Sequence, residues 1–392
     1  MVAIAAAAVN GAWLRRCGAG AGKALGRRYR RVFASGQPRR QWPTMRFRRR
    51  RGGQGRFVRS QLYDRRFAIV TGKGGVGRTT VALALGLVAA RYGLRTCIVQ
   101  LGARDWAGKP FGRIEPSYLP VPLCTSAAGI PELPLYAANL TPSEALREYG
   151  QMKLRFRAIY NLVFENDVMR RLTRMIPGMN EMLMLGKAWH MEAMDKRNDG
   201  RPTWDLLIID APATGHGVSL LRLPQVISEA VPFGPMAEDA RAMRTLLEDP
   251  MRTALHVVTL PQELPATEAL ELCQQVRSTL GMPTGYLFIN KVLGRVISET
   301  QRRTLKQVRD KTDGLAHSAL EAMELYEHWR AAEQLQIQRL VRQSALPVVE
   351  LPHLLEPVGR GQLEQLADLA QAGMEAADLR VQGRGMPSVG AA

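Results

Sequence analysis

Short runs of apolar residues, most of them bounded by turn residues, recur along the chain from residue 67 onward. Seven of them are predicted to form strands, over residues 67–71, 96–101, 135–138, 206–210, 255–260, 286–290 and 348–351. Continuous apolar runs are typical of strands that are buried on both faces, and helix-length connections between strands are typical of parallel crossovers. The pattern therefore predicts an α/β fold, with a mostly parallel sheet and helices on both faces.

The first helix is predicted over residues 79–92, because Gly93 suits the left-handed turn that ends a helix. Residues 141–196 interrupt the alternation, since this segment has no strand pattern and is helical in character. The sequence Asn139-Leu-Thr-Pro142 gives it a helix start, and Pro177-Gly178 gives it a break. We expect a helical subdomain inserted into the α/β domain.

The helical subdomain holds eight of the 17 methionines of the chain: Met152, Met169, Met175, Met179, Met182, Met184, Met191 and Met194. Methionine is flexible and polarisable, so a methionine-rich surface suits varied apolar partners. Methionines at helical spacing also pack as ordinary helix core. Both interpretations stay open.

Two further helical stretches are predicted, over residues 298–344 and 361–377, and residues 381–392 are predicted to form a flexible tail. In the first stretch the apolar positions are expected to face inward. They are Leu305, Val308, Leu315, Leu320, Met323, Leu335, Leu340 and Val341.

The net charge of +19 is concentrated in the first part of the chain. Residues 1–66 contain 18 Arg or Lys residues and one acidic residue, Asp64, so about +17 belongs to this segment. Residues 1–60 lack helical or strand periodicity, and we expect them to be disordered. An RNA-binding or membrane-surface arm, an organellar transit peptide and an extension without function, such as sequence translated from a misassigned start, are the alternatives. The extension is favoured, because basic segments without a motif are unspecific signals, and nucleic-acid binding is disfavoured.

No apolar run is as long as a membrane helix, and residues 81–90 reach about half that length. The apolar residues 1–14 have their positive charges after them rather than before, which is the wrong polarity for a secretory signal. We expect a cytoplasmic location. The four cysteines, Cys17, Cys97, Cys124 and Cys273, have no paired spacing, so neither a zinc site nor a disulfide framework is indicated.

A glycine-rich stretch follows the first predicted strand and opens the first helix. Its residues are expected to bind phosphate through backbone N–H groups, as in a P-loop, and they are Gly72, Gly74, Gly75, Val76, Gly77, Arg78, Thr79 and Thr80. Thr79 supplies the hydroxyl for Mg²⁺ in this pattern. Arg78 occupies the position of the usual P-loop lysine.

Two other stretches are expected to converge on this loop. Asp210 directly follows four aliphatic residues of a strand, where an acid would support Mg²⁺ through water, and Thr214 lies in a loop suited to sensing a γ-phosphate. Asn290 closes another strand at the carboxyl end of the sheet, where nucleotides bind in open α/β folds. Its amide is a candidate for the adenine edge.

The loop sequence Gly72-Lys-Gly-Gly-Val-Gly-Arg-Thr79 resembles the deviant P-loop of the MinD, ParA, nitrogenase-iron-protein and ArsA group. Within that group, residues 210–224, Asp-Ala-Pro-Ala-Thr-Gly-His-Gly-Val-Ser-Leu-Leu-Arg-Leu-Pro, are similar to the switch II segment of the ArsA family. Residues 258–270 and 177–183 resemble two further segments of that family. The resemblance covers about residues 62–375, and it places an ArsA-type P-loop ATPase domain at residues 61–380.

The resemblance implies an ATP- and Mg²⁺-dependent ATPase. In this group the early lysine, here Lys73, reaches across a dimer interface to the phosphates of the partner, so a homodimer is implied. Family members bind apolar clients at the helical subdomain, which implies an apolar helix or a membrane protein as partner. The metalloid-binding cysteine triad of the family has no counterpart, which disfavours arsenite export.

Two departures bear on catalysis. Arg78 keeps a positive charge but is a planar fork rather than a compact ammonium. The switch I segment of the family carries an aspartate that positions water, whereas residues 102–105 read Gly-Ala-Arg-Asp, and Asp105 is the nearest candidate. The leading hypothesis is an ATPase with Lys73, Arg78, Asp105 and Asp210 as catalytic residues. The alternative is a nucleotide-gated binding module with little or no hydrolysis.

Overall fold

The computed structural model describes residues 61–103, 105–125, 131–153, 178–212, 217–230, 233–298, 300–301, 303, 314–354 and 356–383. The predicted N-terminal extension, residues 1–60, and residues 154–177 of the predicted helical subdomain 141–196 lie outside these residues. The chain divides into a small unit, residues 1–57 and 295–331, and a large unit, residues 58–294 and 332–392.

Eight strands form one sheet in the large unit. In chain order they are β1 (Phe67–Thr71), β2 (Thr96–Leu101), β3 (Val121–Pro122), β4 (Leu135–Leu140), β5 (Leu206–Asp210), β6 (Thr253–Thr259), β7 (Thr284–Val292) and β8 (Val348–Pro352). The spatial order is β3-β4-β2-β5-β1-β6-β7-β8. Every pairing is parallel except the antiparallel β3–β4 pair. The predicted mostly parallel sheet is confirmed, and the two-residue strand β3 was not predicted because it is too short to show a pattern.

The helices of the described residues follow the strands. They are α1 (Arg78–Arg91), α2 (Pro142–Lys153), α3 (Met179–Ala193), α4 (Gly217–Ala230), α5 (Pro235–Glu248), α6 (Glu263–Gln275), α7 (Gly314–Gln343) and α8 (Arg360–Gly383). Gly93 has the expected left-handed conformation, with φ 79°. Gly178 likewise has φ 84° and precedes α3, while Pro177 lies outside the described residues.

Side chains alternate between the two faces of the central strands, and both faces are covered. From β1, Phe67 and Ile69 join a core that includes Leu185, and Ala68 and Val70 join a second core on the opposite face. The first core is built with α3, α5 and α6, and the second with α1 and α8. Strand β1 is therefore fully buried, which is the physical reason that its sequence is apolar at every position.

Two sequence-based expectations are corrected. Helix α8 extends to Gly383, three residues into the predicted flexible tail. Just beyond the predicted helix end at residue 377, the buried Asp378 accepts a 2.6 Å hydrogen bond from the Tyr286 hydroxyl, which attaches this part of the helix to β7. In α7, Leu340 is buried as predicted, but Leu315, Leu335 and Val341 are exposed. Leu305 and Val308 lie outside the described residues.

The small unit is described over residues 295–298, 300–301, 303 and 314–331. Residues 314–331 are helical and belong to α7, whose remaining residues belong to the large unit. His317 Nε2 lies 3.5 Å from Glu321 Oε1, and Arg330 Nε lies 3.2 Å from Glu327 Oε2. Across the described residues of both units, none of the helices has the length and apolar character needed to cross a membrane.

Candidate functional site

The glycine-rich loop between β1 and α1 takes a backbone path that requires glycine. Gly75 and Gly77 have φ angles of 80° and 90°, a left-handed conformation that side-chained residues rarely adopt. At Gly72, whose φ is 155°, a Cβ atom would lie 2.2 Å from the carbonyl oxygen of Val258. The loop therefore passes against strand β6 at its start and turns into the first residue of α1.

Strand β7 supports this loop from the other side. The buried Asn290 amide donates a hydrogen bond of 2.9 Å to the carbonyl of Val76, and Lys291 Nζ lies 3.3 Å from the carbonyl of Gly75. A Cβ at Gly77 would lie 2.3 Å from Asn290 Nδ2. Asn290 thus contacts the predicted phosphate loop through its amide nitrogen, and its binding to an adenine edge stays a prediction.

Thr79 and Asp210 meet at the start of α1, although 131 positions separate them in sequence. Thr79 Oγ1 donates a 2.6 Å hydrogen bond to Asp210 Oδ2. Asp210 is only 4% exposed, and burial raises the pKa of its carboxyl, while the hydrogen bonds from Thr79 and Gln100 and the charge of Arg78 act in the opposite direction.

This pair fits a magnesium ion. Because the Thr79 hydroxyl hydrogen points to Asp210, its oxygen lone pairs are left for a cation, and carboxylate and hydroxyl oxygens are the donors that Mg²⁺ prefers. The glycine loop beside them offers backbone N–H groups for phosphates. The predicted metal-binding residues, Thr79 and Asp210, are brought together.

Arg78 lies inside the site, and its guanidinium contacts the segment after β5 rather than the glycine-rich loop. Its Nη1 donates a 2.6 Å hydrogen bond to the carbonyl of Pro212, two residues after Asp210. The residue is 9% exposed, and burial lowers the pKa of the guanidinium against the opposing effect of Asp210. The guanidinium links the start of α1 to the segment that follows β5.

Lys73 lies at the exposed side of the loop. Its Nζ is 2.7 Å from Glu268 Oε1 of helix α6, and the lysine side chain is 50% exposed. Within the described chain its charge is balanced by Glu268 of the same chain. The predicted contact of Lys73 with a partner subunit's phosphates stays a prediction.

Asp105 is not brought to the metal-binding pair by its carboxylate. Its side chain is 97% exposed, and its Oδ1 lies 3.4 Å from Lys109 Nζ. Its backbone carbonyl instead accepts a 3.0 Å hydrogen bond from Gln100. The predicted water-positioning role of Asp105 stays a prediction.

The other predicted loop residues differ in exposure. Gly74 and Gly75 are exposed, Val76 is buried, and Thr80 is half-buried in the first turn of α1. Thr214 lies outside the described residues.

Two contacts of the site were not assigned from sequence. Gln100 interrupts the apolar pattern of β2, and a polar residue in a buried strand is the signal that would have identified it. Glu268 lies in the segment quoted for the family resemblance, but nothing in its local sequence indicates that it pairs with Lys73.

Comparisons with known proteins find one family of ATPases. The sequence profile of the anion-transporting ATPase family (ArsA_ATPase) matches residues 65–234. ATPase BagA of Mycobacterium tuberculosis is 26% identical over 336 residues, which cover 80% of this chain and 95% of that protein. The arsenical pump-driving ATPase of Escherichia coli is 27% identical over 252 residues, which cover 58% of this chain and 39% of that protein. The matched region contains the glycine loop, Arg78, Thr79, Asp105 and Asp210.

The loop geometry predicts that Gly77→Ala and Gly74→Ala differ sharply. Alanine at position 77 would adopt an unfavourable φ and press on Asn290, so we expect the affinity for a fluorescent ATP analogue to fall by about tenfold. A Cβ at Gly74 meets nothing within 4 Å, so this variant should bind like the wild type. Fluorescence titration of both variants with Mg²⁺ present measures the difference, and equal affinities would contradict the predicted phosphate loop.

Proposed function

Because residues 65–234 belong to the anion-transporting, ArsA-type ATPase family, we propose that this protein binds ATP with Mg²⁺ and hydrolyses ATP to ADP and phosphate as a nucleotide-gated dimer. The observation that carries the proposal is the 2.6 Å hydrogen bond from Thr79 to Asp210 beside the glycine loop. This hydrogen bond holds the Thr79 hydroxyl and the buried Asp210 carboxylate together beside the glycine loop, and both groups are needed to bind Mg²⁺ next to phosphates.

Each part of the site has a proposed task. The backbone N–H groups of residues 72–80 bind the phosphates. Thr79 holds Mg²⁺ through its hydroxyl oxygen and Asp210 holds it through water, while Asn290 is proposed to contact the nucleotide. Bound Mg²⁺ neutralises charge on the phosphates.

Arg78 is proposed to act on phosphate, which requires it to leave the carbonyl of Pro212. Asp105 is proposed to position water, which requires its exposed carboxylate to turn toward the nucleotide. Both roles require a rearrangement of the chain. If these rearrangements do not occur, a second function is the candidate. In that candidate, the protein binds nucleotide and changes its affinity for a partner with little or no hydrolysis.

Phosphate release from the purified protein separates the two candidate functions. If the protein hydrolyses ATP, Asp210→Asn should lower turnover by about 100-fold or more, because it removes the charge on the metal side of the site. Turnover by the wild type that Asp210→Asn abolishes excludes the binding-only function.

Arg78→Lys is the complementary variant in the same assay. Lysine cannot form the same fork toward Pro212, and its compact ammonium suits the phosphates, so we expect turnover to rise severalfold. A wild type without turnover that gains it in Arg78→Lys supports the binding-only function. Loss of nucleotide binding in Arg78→Lys would contradict the proposed role of this position.

The proposed dimer depends on Lys73. One glycine loop of this kind occurs in the sequence, so two active sites require two chains. In the single chain Lys73 is half-exposed and held by Glu268, and we propose that in the dimer it exchanges this carboxylate for the phosphates bound to the partner subunit. The exchange places one cation of each chain at the site of the other.

Sedimentation velocity with ATP and Mg²⁺ tests the dimer. The wild type should sediment as a dimer with nucleotide and as a smaller species without it, and Lys73→Met should lose the nucleotide-dependent change. Glu268→Gln is the matched control, because it breaks the same ion pair and leaves Lys73 in place, so its dimer should persist. A wild-type monomer under all conditions would contradict the dimer.

A cavity among the helices supports an apolar client. It lies between α2, α3 and α5, has a volume of about 320 Å³, and is lined mainly by methionine and aromatic side chains. These are Tyr149, Met152, Met179, Met182, Trp189, Met194, Met236 and Met243. The wall also includes the polar residues Glu148, Lys187, His190 and Asp239. Lys187 Nζ lies 2.7 Å from Glu148 Oε1, so these two opposite charges compensate each other.

The methionines of this region divide between two roles. Met184 and Met191 are buried in the core, whereas Met152 and Met194 are exposed and line the cavity. We propose that the cavity binds an apolar helix, such as a segment of a membrane protein, because flexible methionine side chains adapt to varied apolar surfaces.

Gly186→Leu tests the cavity. Gly186 lines it, and a Cβ there would lie 3.8 Å from Met243, so a leucine side chain would fill the space. We expect the affinity for a fluorescein-labelled leucine-rich helical peptide, measured by anisotropy, to fall by about tenfold. Glu181→Leu places the same side chain on α3 away from the cavity lining and should bind like the wild type. Equal binding by both variants would contradict the proposed site.

A further inference from the structure

Gln100 is a buried polar side chain in strand β2, whose other residues after Thr96 are apolar. It lies near the carboxyl end of β2, is 0% exposed, and pairs in register with Asp210 on the neighbouring strand β5. A buried carboxamide is costly unless its donors and acceptor are used. Its contacts therefore indicate what it does.

The Gln100 carboxamide bonds to the metal-side acid and to a neighbouring loop at the same time. Its Nε2 donates to Asp210 Oδ2 at 3.0 Å and to the carbonyl of Asp105 at 3.0 Å. Its Oε1 accepts a 2.8 Å hydrogen bond from the backbone N–H of Ala107. Both amide hydrogens and the carbonyl oxygen are thus occupied.

Asp210 Oδ2 is shared by the two donors Thr79 and Gln100. If the Asp210 carboxylate or Thr79 moves when a cation binds, the position of Asp210 Oδ2 changes. Because Gln100 Nε2 donates to this same oxygen, the Gln100 amide moves with it. Because the carboxamide is planar, movement of its nitrogen also moves the oxygen that receives the Ala107 N–H. A change at the acid is therefore transmitted to the loop by a rigid group rather than by a flexible chain.

Asn139, in strand β4, provides a comparison because it bonds to the same loop. It is 6% exposed, its Nδ2 donates to the carbonyl of Ala103 at 2.8 Å, and its Oδ1 accepts from the N–H of Ala103 at 3.1 Å. Both side-chain bonds of Asn139 within the described residues go to Ala103, three residues after Gln100. Asn139 therefore supports the loop without contacting Asp210.

We propose that Gln100 is a positioning residue that couples occupancy of the Mg²⁺–phosphate site at Asp210 to residues 105–107 of the loop after β2, which include Asp105. The inference rests on the proposed function, because it requires that Asp210 and Thr79 hold the cation. Through this link, binding of Mg²⁺ with nucleotide orders the loop after β2. That loop carries Asp105, the residue proposed to position water.

Hydrogen exchange of the full-length protein tests the coupling at the Ala107 amide, which donates directly to Gln100. The wild type, Gln100→Met and Asn139→Leu are compared with a non-hydrolysable ATP analogue, with Mg²⁺ and with EDTA. We expect Mg²⁺ to slow exchange at Ala107 about fivefold in the wild type and in Asn139→Leu, the effect of one strengthened hydrogen bond. In Gln100→Met the exchange rate should be the same with and without Mg²⁺.

Binding of the fluorescent ATP analogue, measured alongside, separates the inference from the function it rests on. Mg²⁺–nucleotide binding by Gln100→Met within about threefold of the wild type, with metal-independent exchange, supports the coupling. Metal-dependent slowing that survives in Gln100→Met, or that is lost equally in Asn139→Leu, overturns the inference and leaves the proposed function intact. Absence of metal-dependent nucleotide binding in the wild type overturns both.

Gln100→Glu keeps the experiment decisive if the methionine variant does not fold. Glutamate has nearly the same shape and can accept from the Ala107 N–H, but as a carboxylate it has no N–H group for Asp210. Ala107 should then stay protected to the same degree with and without Mg²⁺. Metal-dependent protection in this variant would overturn the coupling.

Discussion

Asp210 carries a carboxylate into the centre of a parallel sheet, where only 4% of the residue is exposed. Burial of a charge is costly unless hydrogen bonds and opposite charges compensate for it. Thr79 and Gln100 donate hydrogen bonds to its Oδ2, and the Arg78 charge lies near enough to oppose the rise in the carboxyl pKa. The start of α1, the end of β2 and the segment after β5 are therefore held together by the need to compensate one acid.

The cationic side chains in and beside the glycine loop also have partners within the chain. Lys73 pairs with Glu268, Arg78 donates to the carbonyl of Pro212, and Lys291 reaches the carbonyl of Gly75. A phosphate ligand that recruits Lys73 or Arg78 must exchange these contacts for its own. A ligand shifts such an equilibrium only by the difference in its affinity for the two arrangements. The proposed binding of nucleotide therefore requires that these contacts within the chain be exchanged.

The loop after β2 also adjoins the helical part of the large unit. A Cβ at Gly102 would lie 3.6 Å from Met184 Sδ of α3, and α3 lines the apolar cavity with other residues, among them Met182 and Gly186. Gln100 at the start of this loop contacts Asp210. The proposed nucleotide site and the proposed client cavity are therefore connected by contacts through one short loop and one helix.

Much of the fold and part of the candidate site were predictable from the chain itself. Strands β1, β2 and β5 have the predicted bounds because burial on both faces demands a continuous apolar run, and Gly72, Gly75 and Gly77 lie in the loop because their backbone angles exclude other residues. Strand β3 was not predicted because two residues are too few to show the alternating pattern of a strand.

Only the tertiary structure decided which partners the polar groups take. Arg78 and Pro212 are 134 positions apart and Gln100 and Asp210 are 110 apart, and Asp105 points its carboxylate to solvent while its carbonyl faces Gln100. Local sequence sets backbone conformation and burial, whereas a hydrogen bond depends on which of several competing groups the packed sheet brings within 3 Å.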